Sequence, residues 1–139
     1  MNVYRVCTLC LGVGLFSSVT MAAVSEASAV DQQLSAYQTE GAGPFSAEAG
    51  AALWQQPFTP KSGEASRSCT SCHGSDLQQP SKHQRTGKTI EPMSPAVNPA
   101  RLSDSGKIEK WFKRNCKWTL GRLCTPQERG DLLLFIQSN

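Results

Sequence analysis

The sequence predicts an all-α domain. Three stretches of the chain carry helix start and stop signals around apolar residues at helical spacing. No stretch shows the alternation of apolar and polar residues that is typical of a half-buried strand, and no internal repeat is visible. Residues 74–102 are poor in apolar side chains and rich in proline, which indicates a long loop that covers a large apolar group instead of packing on itself.

Residues 1–29 have the composition of a signal peptide. MNVYR supplies a charged start, VCTLCLGVGLFSSV an apolar run, and TMA or ASA a site for cleavage after Ala22 or Ala29. The run is short and interrupted by Ser and Thr, so we expect no stable membrane insertion after cleavage; an uncleaved anchor is the alternative. A signal peptide predicts the periplasm, an oxidising compartment. The formal net charge of +3 is too small to indicate a nucleic-acid partner.

The mature chain is predicted to start with an extension, residues 30–45, followed by the domain itself, residues 46–139. The extension has weak helical character and ends in Gly and Pro, so we expect an irregular segment or a short helix. The domain opens with a helix that has Ser46 as N-cap and stops at Pro57. Gly50 inside this helix costs about 1 kcal/mol relative to Ala. It either lets another helix approach closely or is an ordinary surface position.

The penultimate helix is predicted over residues 104–120, with Ser103 as N-cap and Gly121 just past its end. Its apolar stripe consists of Ile108, Trp111 and Phe112. Lys and Arg side chains lie mostly off this stripe. They form either a solvated face or a docking surface for an acidic partner.

The final helix begins at TPQE. Thr125 is its expected N-cap, Pro126 occupies the first helical position, and Glu128 completes a capping box. The helix continues through the most apolar part of the mature chain, so we expect it to lie in the core.

The segment CTSCH, residues 69–73, has the C-x-x-C-H form by which haem c is attached. Cys69 and Cys72 are spaced to reach the two vinyl groups on one porphyrin edge, and His73 brings an imidazole under the iron. A zinc site that adds Cys116 and Cys124 lacks a second C-x-x-C, and a thioredoxin-like pair lacks a βαβ pattern. We therefore expect one covalent haem c, with His73 as an axial ligand.

The order of helix, CTSCH, long polar loop and two closing helices resembles class I cytochrome c over about residues 46–138. The resemblance implies that the first and last helices of the domain cross closely around one haem. A small residue and an aromatic residue of the first helix pack on the last helix in that family. Gly50, Trp54 and Phe135 are suitable residues for this contact.

The sixth iron ligand decides the function, and the candidates are Met93, His83, Asn115, and water or none. Met is the usual ligand of electron carriers. However, Met93 precedes the penultimate helix, whereas class I cytochromes supply the ligand just before the final helix. Asn115 continues the apolar stripe of the penultimate helix onto its buried side. A buried amide needs a partner, and hydrogen bonding at the helix C-terminus is its other explanation.

Cys7 and Cys10 leave with the signal peptide, so Cys116 and Cys124 are the thiols of the mature chain that are left over after haem attachment. In an oxidising compartment they most simply pair with each other. Closing this loop of nine residues contributes about 2.6 kcal/mol in the chain-entropy treatment. The bridge would also clamp the backbone beside Asn115.

The segment WFKRNCKWTLGRLCTPQERGDLL, with RTGKTIEPMSPAVNPARLSD before it, resembles the SHP family of small oxygen-binding c-type cytochromes. That family has an asparagine axial ligand and a neighbouring disulfide. The resemblance extends through most of residues 69–136, and RNC is its most specific part. It implies that His73 is the proximal ligand, that Asn115 is the distal ligand, and that Cys116 and Cys124 form the bridge.

The motif, the signal peptide and the resemblance to the SHP family together predict a monomeric periplasmic cytochrome that transfers electrons and binds a gas. An amide oxygen is a hard donor that suits ferric iron, so reduction should release Asn115 and open the site to O2, NO or CO. The expected partner is a redox protein, with a multihaem cytochrome c as one candidate. The alternatives are a plain electron carrier with His73 and Met93 as ligands, and a small haem reductase or oxidase. The enzyme is disfavoured because His83 is the sole positioned acid or base.

Overall fold

The computed structural model describes residues 27–59, 63 and 65–139. Its helices are α1 (Ala29–Thr39), α2 (Ala47–Gln55), α3 (Thr70–His73), α4 (Ser105–Leu120) and α5 (Pro126–Gln137). The strands β1 (Ser81–Lys82) and β2 (Thr89–Ile90) form one antiparallel pair. The all-α class is confirmed. The small hairpin falls inside the predicted loop, and strands of two residues are too short to show alternation.

None of the helices in the described part of the chain has the length and hydropathy needed to span a bilayer. Most of the predicted signal peptide, residues 1–26, lies outside the described residues.

Helices α2 and α5 pack closely at Gly50. A Cβ atom there would overlap the backbone carbonyl of Asp131 and lie 2.8 Å from the Cβ atom of Phe135. One turn further along α2, the ring of Trp54 lies 5.7 Å from the ring of Phe135, centroid to centroid. Gly50 therefore allows another helix to approach closely and is not an ordinary surface position. The predicted close crossing of these two helices is confirmed.

Of the two forms expected for the extension, the structure has the short helix, and this helix α1 packs on α4 and α5. Tyr37 is almost fully buried and donates a hydrogen bond from its hydroxyl to the Glu109 carboxylate. Arg129 of α5 places its guanidinium 4.4 Å from the Tyr37 ring and binds Glu109 at 2.9 Å. Burial, followed by the hydrogen bond to Glu109, raises the pKa of Tyr37. These contacts join the extension to the two closing helices.

Helix α4 begins one residue later than predicted, because Asp104 is its N-cap and not Ser103. The Asp104 carboxylate accepts a hydrogen bond from the Lys107 amide at 2.7 Å. The Ser103 hydroxyl instead donates to the Ala100 carbonyl at 2.9 Å, within the preceding turn. Gly121 ends the helix in the left-handed conformation, as expected.

Helix α5 starts as predicted. The Thr125 hydroxyl accepts from the Glu128 amide at 3.2 Å, and the Glu128 carboxylate accepts from the Thr125 amide at 2.8 Å. Pro126 occupies the first helical position. The buried side chains of this helix include Leu132, Leu133 and Ile136, which lie in the two apolar clusters of the core.

The long loop folds back on the segment that follows α3. The amides of Met93 and Ser94 both donate to the Leu77 carbonyl, each at 2.9 Å. Leu77 and Ser94 are fully buried, and the Ser94 hydroxyl donates to the carbonyl of Asn139. The loop is thereby fixed beside α3 and against the end of the chain.

Candidate haem site

A cavity of about 920 Å³ lies between α2, α3, the hairpin, the long loop and α4. This volume is near the upper end of the usual range for cofactor pockets, about 300–1,000 Å³. Six residues singled out by the sequence line it: Cys69, Cys72, His73, His83, Met93 and Asn115. The fold thus brings the attachment motif and all three protein candidates for the sixth ligand to one cavity.

The attachment motif forms a single helical turn. The His73 amide donates to the Cys69 carbonyl at 3.0 Å, and this turn places both thiols on the cavity side. Burial raises the pKa of Cys69 to about 11. Cys72 is buried, and its Sγ atom accepts from the Gln84 amide at 3.4 Å. The turn therefore presents two thiols together, as attachment of a porphyrin by two thioethers requires.

His73 has the properties of a metal-binding imidazole. Burial, followed by the nearby charges of Arg101 and His83, lowers the pKa of His73 to about 4. The ring is therefore neutral near pH 7, which is the form that binds iron. Its Nδ1 atom is buried without a hydrogen-bond partner among the described residues. The donor set and the size of the cavity fit a haem.

Asn115 lies on α4 and faces the cavity. Within the described residues its side-chain amide makes no hydrogen bond, so capping of the helix C-terminus does not account for it. Cys116 follows directly and forms the expected disulfide with Cys124, with Cα atoms 5.5 Å apart. Both cysteines are buried in the core beside the cavity. The predicted bridge is thus present next to Asn115.

An ion pair holds the far end of the disulfide loop. Arg122 binds both oxygens of the Glu128 carboxylate, at 2.6 and 2.7 Å, and also donates to the Leu123 carbonyl at 2.9 Å. The hydrogen bond from Arg122 lowers the pKa of Glu128, and burial acts in the opposite direction. The segment between α4 and α5 is therefore held by both the bridge and this pair.

Met93 lines the cavity from the long loop. Its backbone amide is bound to the carbonyl of Leu77, a residue four positions after His73. The backbone of Met93 is therefore anchored to the segment that follows His73.

His83 lines the cavity from the hairpin. Its Nδ1 atom accepts hydrogen bonds from the amides of Arg85 and Thr86, at 3.3 and 3.2 Å. The ring lies 5.9 Å from the ring of Trp118, centroid to centroid. His83 is thus held within its own turn, with Nδ1 already used as an acceptor.

One contact near the site could not be predicted from the sequence. Arg67 places its guanidinium 4.4 Å from the Trp118 ring and donates to the Trp118 carbonyl at 2.9 Å. Trp118 lies one turn after Asn115 on α4, so this contact joins the segment before CTSCH to the helix that carries Asn115. The two partners are far apart in the chain, and neither type of residue signals the pairing.

The indole of Trp111 lines the cavity and is 48% exposed. Three basic side chains of α4 also line the cavity, namely Lys107, Arg114 and Lys117. Part of the positive charge of α4 therefore lies beside the cavity mouth.

Comparisons with known proteins agree with this site. Residues 40–136 match the family described as "Domain of unknown function (DUF1924)". The chain is 40% identical over 111 residues to the cytochrome c-type protein SHP of Cereibacter sphaeroides, covering 76% of this chain and 80% of that protein. This chain belongs to the SHP family of c-type cytochromes.

Solved structures support the same assignment. The structure of oxidised SHP, described as an oxygen-binding cytochrome c, superposes with a TM-score of 0.72 at 38% identity and covers 81% of this chain and 98% of that one. The solution structure of cytochrome c'' from Methylophilus methylotrophus, which concerns the structural basis of haem-ligand detachment, has a TM-score of 0.68 at 28% identity. It covers 79% of this chain and 93% of that one.

Membership of the SHP family settles the cofactor. The relatives are haem c proteins, and this chain carries one covalently bound haem c. The class I cytochrome c-like fold expected from the order of the helices is confirmed as well.

Proposed function

We propose that the protein is a periplasmic monohaem cytochrome c that transfers electrons and binds a diatomic gas when reduced. Cys69 and Cys72 hold the haem through thioethers, and His73 and Asn115 are its axial ligands in the ferric state. Asn115 leaves on reduction. The haem iron supplies the site at which an electron is accepted and O2, NO or CO is bound.

The observation that carries the proposal is the position of Asn115. Its amide faces the cavity that His73 also lines, and it makes no hydrogen bond within the described residues. Asn115 is half-buried, and a haem in this mainly apolar cavity would cover its amide. A covered polar group without a partner is costly, so a role as iron ligand accounts for an asparagine at this position. The adjacent disulfide limits how far its backbone can move.

The release of Asn115 follows from donor chemistry. A neutral amide oxygen is a hard ligand that prefers ferric to ferrous iron. The backbone beside Asn115 is held by the bridge, so release requires only rotation of its side chain. The descriptions of two relatives are consistent with this: SHP is called an oxygen-binding cytochrome c, and the cytochrome c'' study concerns detachment of a haem ligand.

The plain electron carrier with Met93 as ligand is the main alternative. Met93 is anchored to Leu77, on the segment that follows His73. A residue tied to the His73 side is poorly placed to reach the opposite face of the haem. This anchoring favours Asn115 over Met93.

The N-terminus is proposed to arise by cleavage of a signal peptide after Ala22. Ser28 is the N-cap of α1, and it forms a capping box with Asp31. Cleavage after Ala29 would remove this cap, whereas cleavage after Ala22 retains it. Export to the periplasm also places Cys116 and Cys124 where a disulfide persists.

A redox protein is the proposed partner, and a monomer the proposed state. The basic side chains of α4 beside the cavity favour an acidic surface on the partner, such as that of a multihaem cytochrome c. Electron transfer with such a partner should slow as salt is added.

The ligand is tested by paired substitutions in the haem-loaded protein. Asn115→Ala should convert the ferric low-spin spectrum to high-spin, while Met93→Ala should leave it low-spin. Asn98→Ala is a matched control. The Asn98 side chain donates to the Pro92 carbonyl and accepts from the Ala100 amide within the loop, and it does not line the cavity. Loss of the low-spin spectrum in Met93→Ala, with Asn115→Ala unchanged, would overturn the proposal.

A further inference from the structure

The side chain of Trp54 touches both His73 and the residue after it. The indole Nε1–H donates to the carbonyl of Gly74 at 3.0 Å. The indole ring lies 5.4 Å from the His73 ring, centroid to centroid, with the planes tilted by 41°. Trp54 is 4% exposed, so both contacts are made inside the protein.

Helix α5 prevents the side chain of Trp54 from moving away from His73. Phe135 lies against the indole at 5.7 Å, and Gly50, one turn earlier on α2, is in close contact with the Asp131 backbone. The indole is thus held between α5 and the turn that carries His73. Gly74, which accepts its hydrogen bond, has a φ of +73° and a ψ of 178° and ends α3. The hydrogen bond from the indole therefore fixes the backbone of Gly74, the residue that directly follows His73.

No described residue accepts a hydrogen bond from the second ring nitrogen of His73. A metal-binding histidine almost always donates its second ring N–H to a carboxylate, a backbone carbonyl or water, and this bond fixes the ring plane. The Nδ1 atom of His73 is buried and has no partner among the described residues. Two contacts of Trp54 can constrain the orientation of the His73 ring: the contact between the two rings, and the hydrogen bond that fixes Gly74.

We propose that Trp54 is the positioning residue of the haem, setting the plane of the His73 ring through the indole contact and the Gly74 hydrogen bond. This inference rests on the proposed role of His73 as an axial ligand. It gives α2 and α5 a direct mechanical connection to the iron ligand. A change in the packing of α2 on α5 would then move Trp54 and alter the orientation of the His73 ring.

The test compares two substitutions at position 54 in the haem-loaded protein. Trp54→Phe keeps an aromatic ring against His73 and removes the N–H, whereas Trp54→Leu removes both contacts. Proton NMR of the ferric protein reports the ring plane through the hyperfine shifts of the haem methyl groups. We expect these shifts to change in Trp54→Phe and to change further in Trp54→Leu. The iron–histidine stretching band of the ferrous protein should move in the same order.

Tyr37→Phe is the matched control. Tyr37 is equally buried and also donates one hydrogen bond, but it lies among α1, α4 and α5, away from His73. The Tyr37→Phe variant should be less stable than the wild type, but its haem methyl shifts should be unchanged. Unchanged shifts in Trp54→Phe, with stability lost as in Tyr37→Phe, would overturn the inference and leave Trp54 as a core residue. If Trp54→Leu does not fold, Trp54→Phe decides alone.

The ferric measurement separates this inference from the proposed function. A wild-type ferrous protein that stays six-coordinate would contradict the release of Asn115. The haem methyl shifts of the ferric form would still report whether Trp54 orients His73.

Discussion

Gly50→Ala should destabilise the protein by about 2 kcal/mol. The new methyl group would overlap the Asp131 carbonyl oxygen and lie 2.8 Å from the Phe135 Cβ atom. Neither of these atoms can rotate away, because one is backbone and the other is fixed to it. Overpacking of this kind costs about 1–3 kcal/mol, and we expect the upper end of that range. The gain in helix propensity offsets about 1 kcal/mol of the cost.

Denaturant unfolding of the haem-loaded protein measures this loss, followed by far-UV circular dichroism and by haem absorbance. Gly106→Ala is the matched control, since a Cβ atom there meets only a carboxylate oxygen of Asp104 at 3.4 Å. The control should be neutral or stabilising by up to about 1 kcal/mol. If both variants were as stable as the wild type, the close packing of α2 on α5 would be wrong.

Three further predictions concern the disulfide, the ion pair and the N-terminus. Replacing both Cys116 and Cys124 by Ala should lower the free energy of unfolding by about 2.6 kcal/mol or more; an unchanged unfolding midpoint would contradict this. Because the folded-state pKa of Glu128 is lowered, its stabilising contribution is present above the unfolded value of about 4.3 and is lost as the pH falls through the folded value. The stability difference between wild type and Glu128→Gln should therefore shrink on acidification below about pH 4, and a constant difference would argue against the ion pair with Arg122. Mass spectrometry of the exported protein should find Ala23 as the first residue; a chain that starts at Val30 would refute the argument from the Ser28 cap.

Features encoded within a few residues could be predicted from the sequence. The caps of α2 and α5 depend on Ser46 and on the pair Thr125 and Glu128, and in both cases the donor and acceptor lie within one helical turn. The haem-attachment motif CTSCH is also formed by consecutive residues, so it could be identified from the sequence. The N-cap of α4 could not be identified from the sequence, because Ser103 and Asp104 are adjacent and equally suitable caps. The hydrogen bond from the Ser103 hydroxyl to the Ala100 carbonyl, within the preceding turn, decides between them.

Features that depend on distant backbone atoms could not be predicted. The hydrogen bond of Trp54 ends on the Gly74 carbonyl, and a carbonyl acceptor leaves no mark in the sequence. The same holds for Arg67, which binds the carbonyl of Trp118 across 51 positions. The position of Asn115 was predicted from helical spacing and from the resemblance to the SHP family. The lack of a hydrogen bond to its amide within the described residues became visible only in the fold.

The most direct test of the central claim is the absorption spectrum of the purified protein when oxidised, when reduced without air, and when then exposed to CO. Release of Asn115 predicts a low-spin ferric spectrum, a high-spin ferrous spectrum, and a shift on addition of CO. A ferrous spectrum that stays low-spin and does not respond to CO would contradict the account and identify an electron carrier with two permanent ligands.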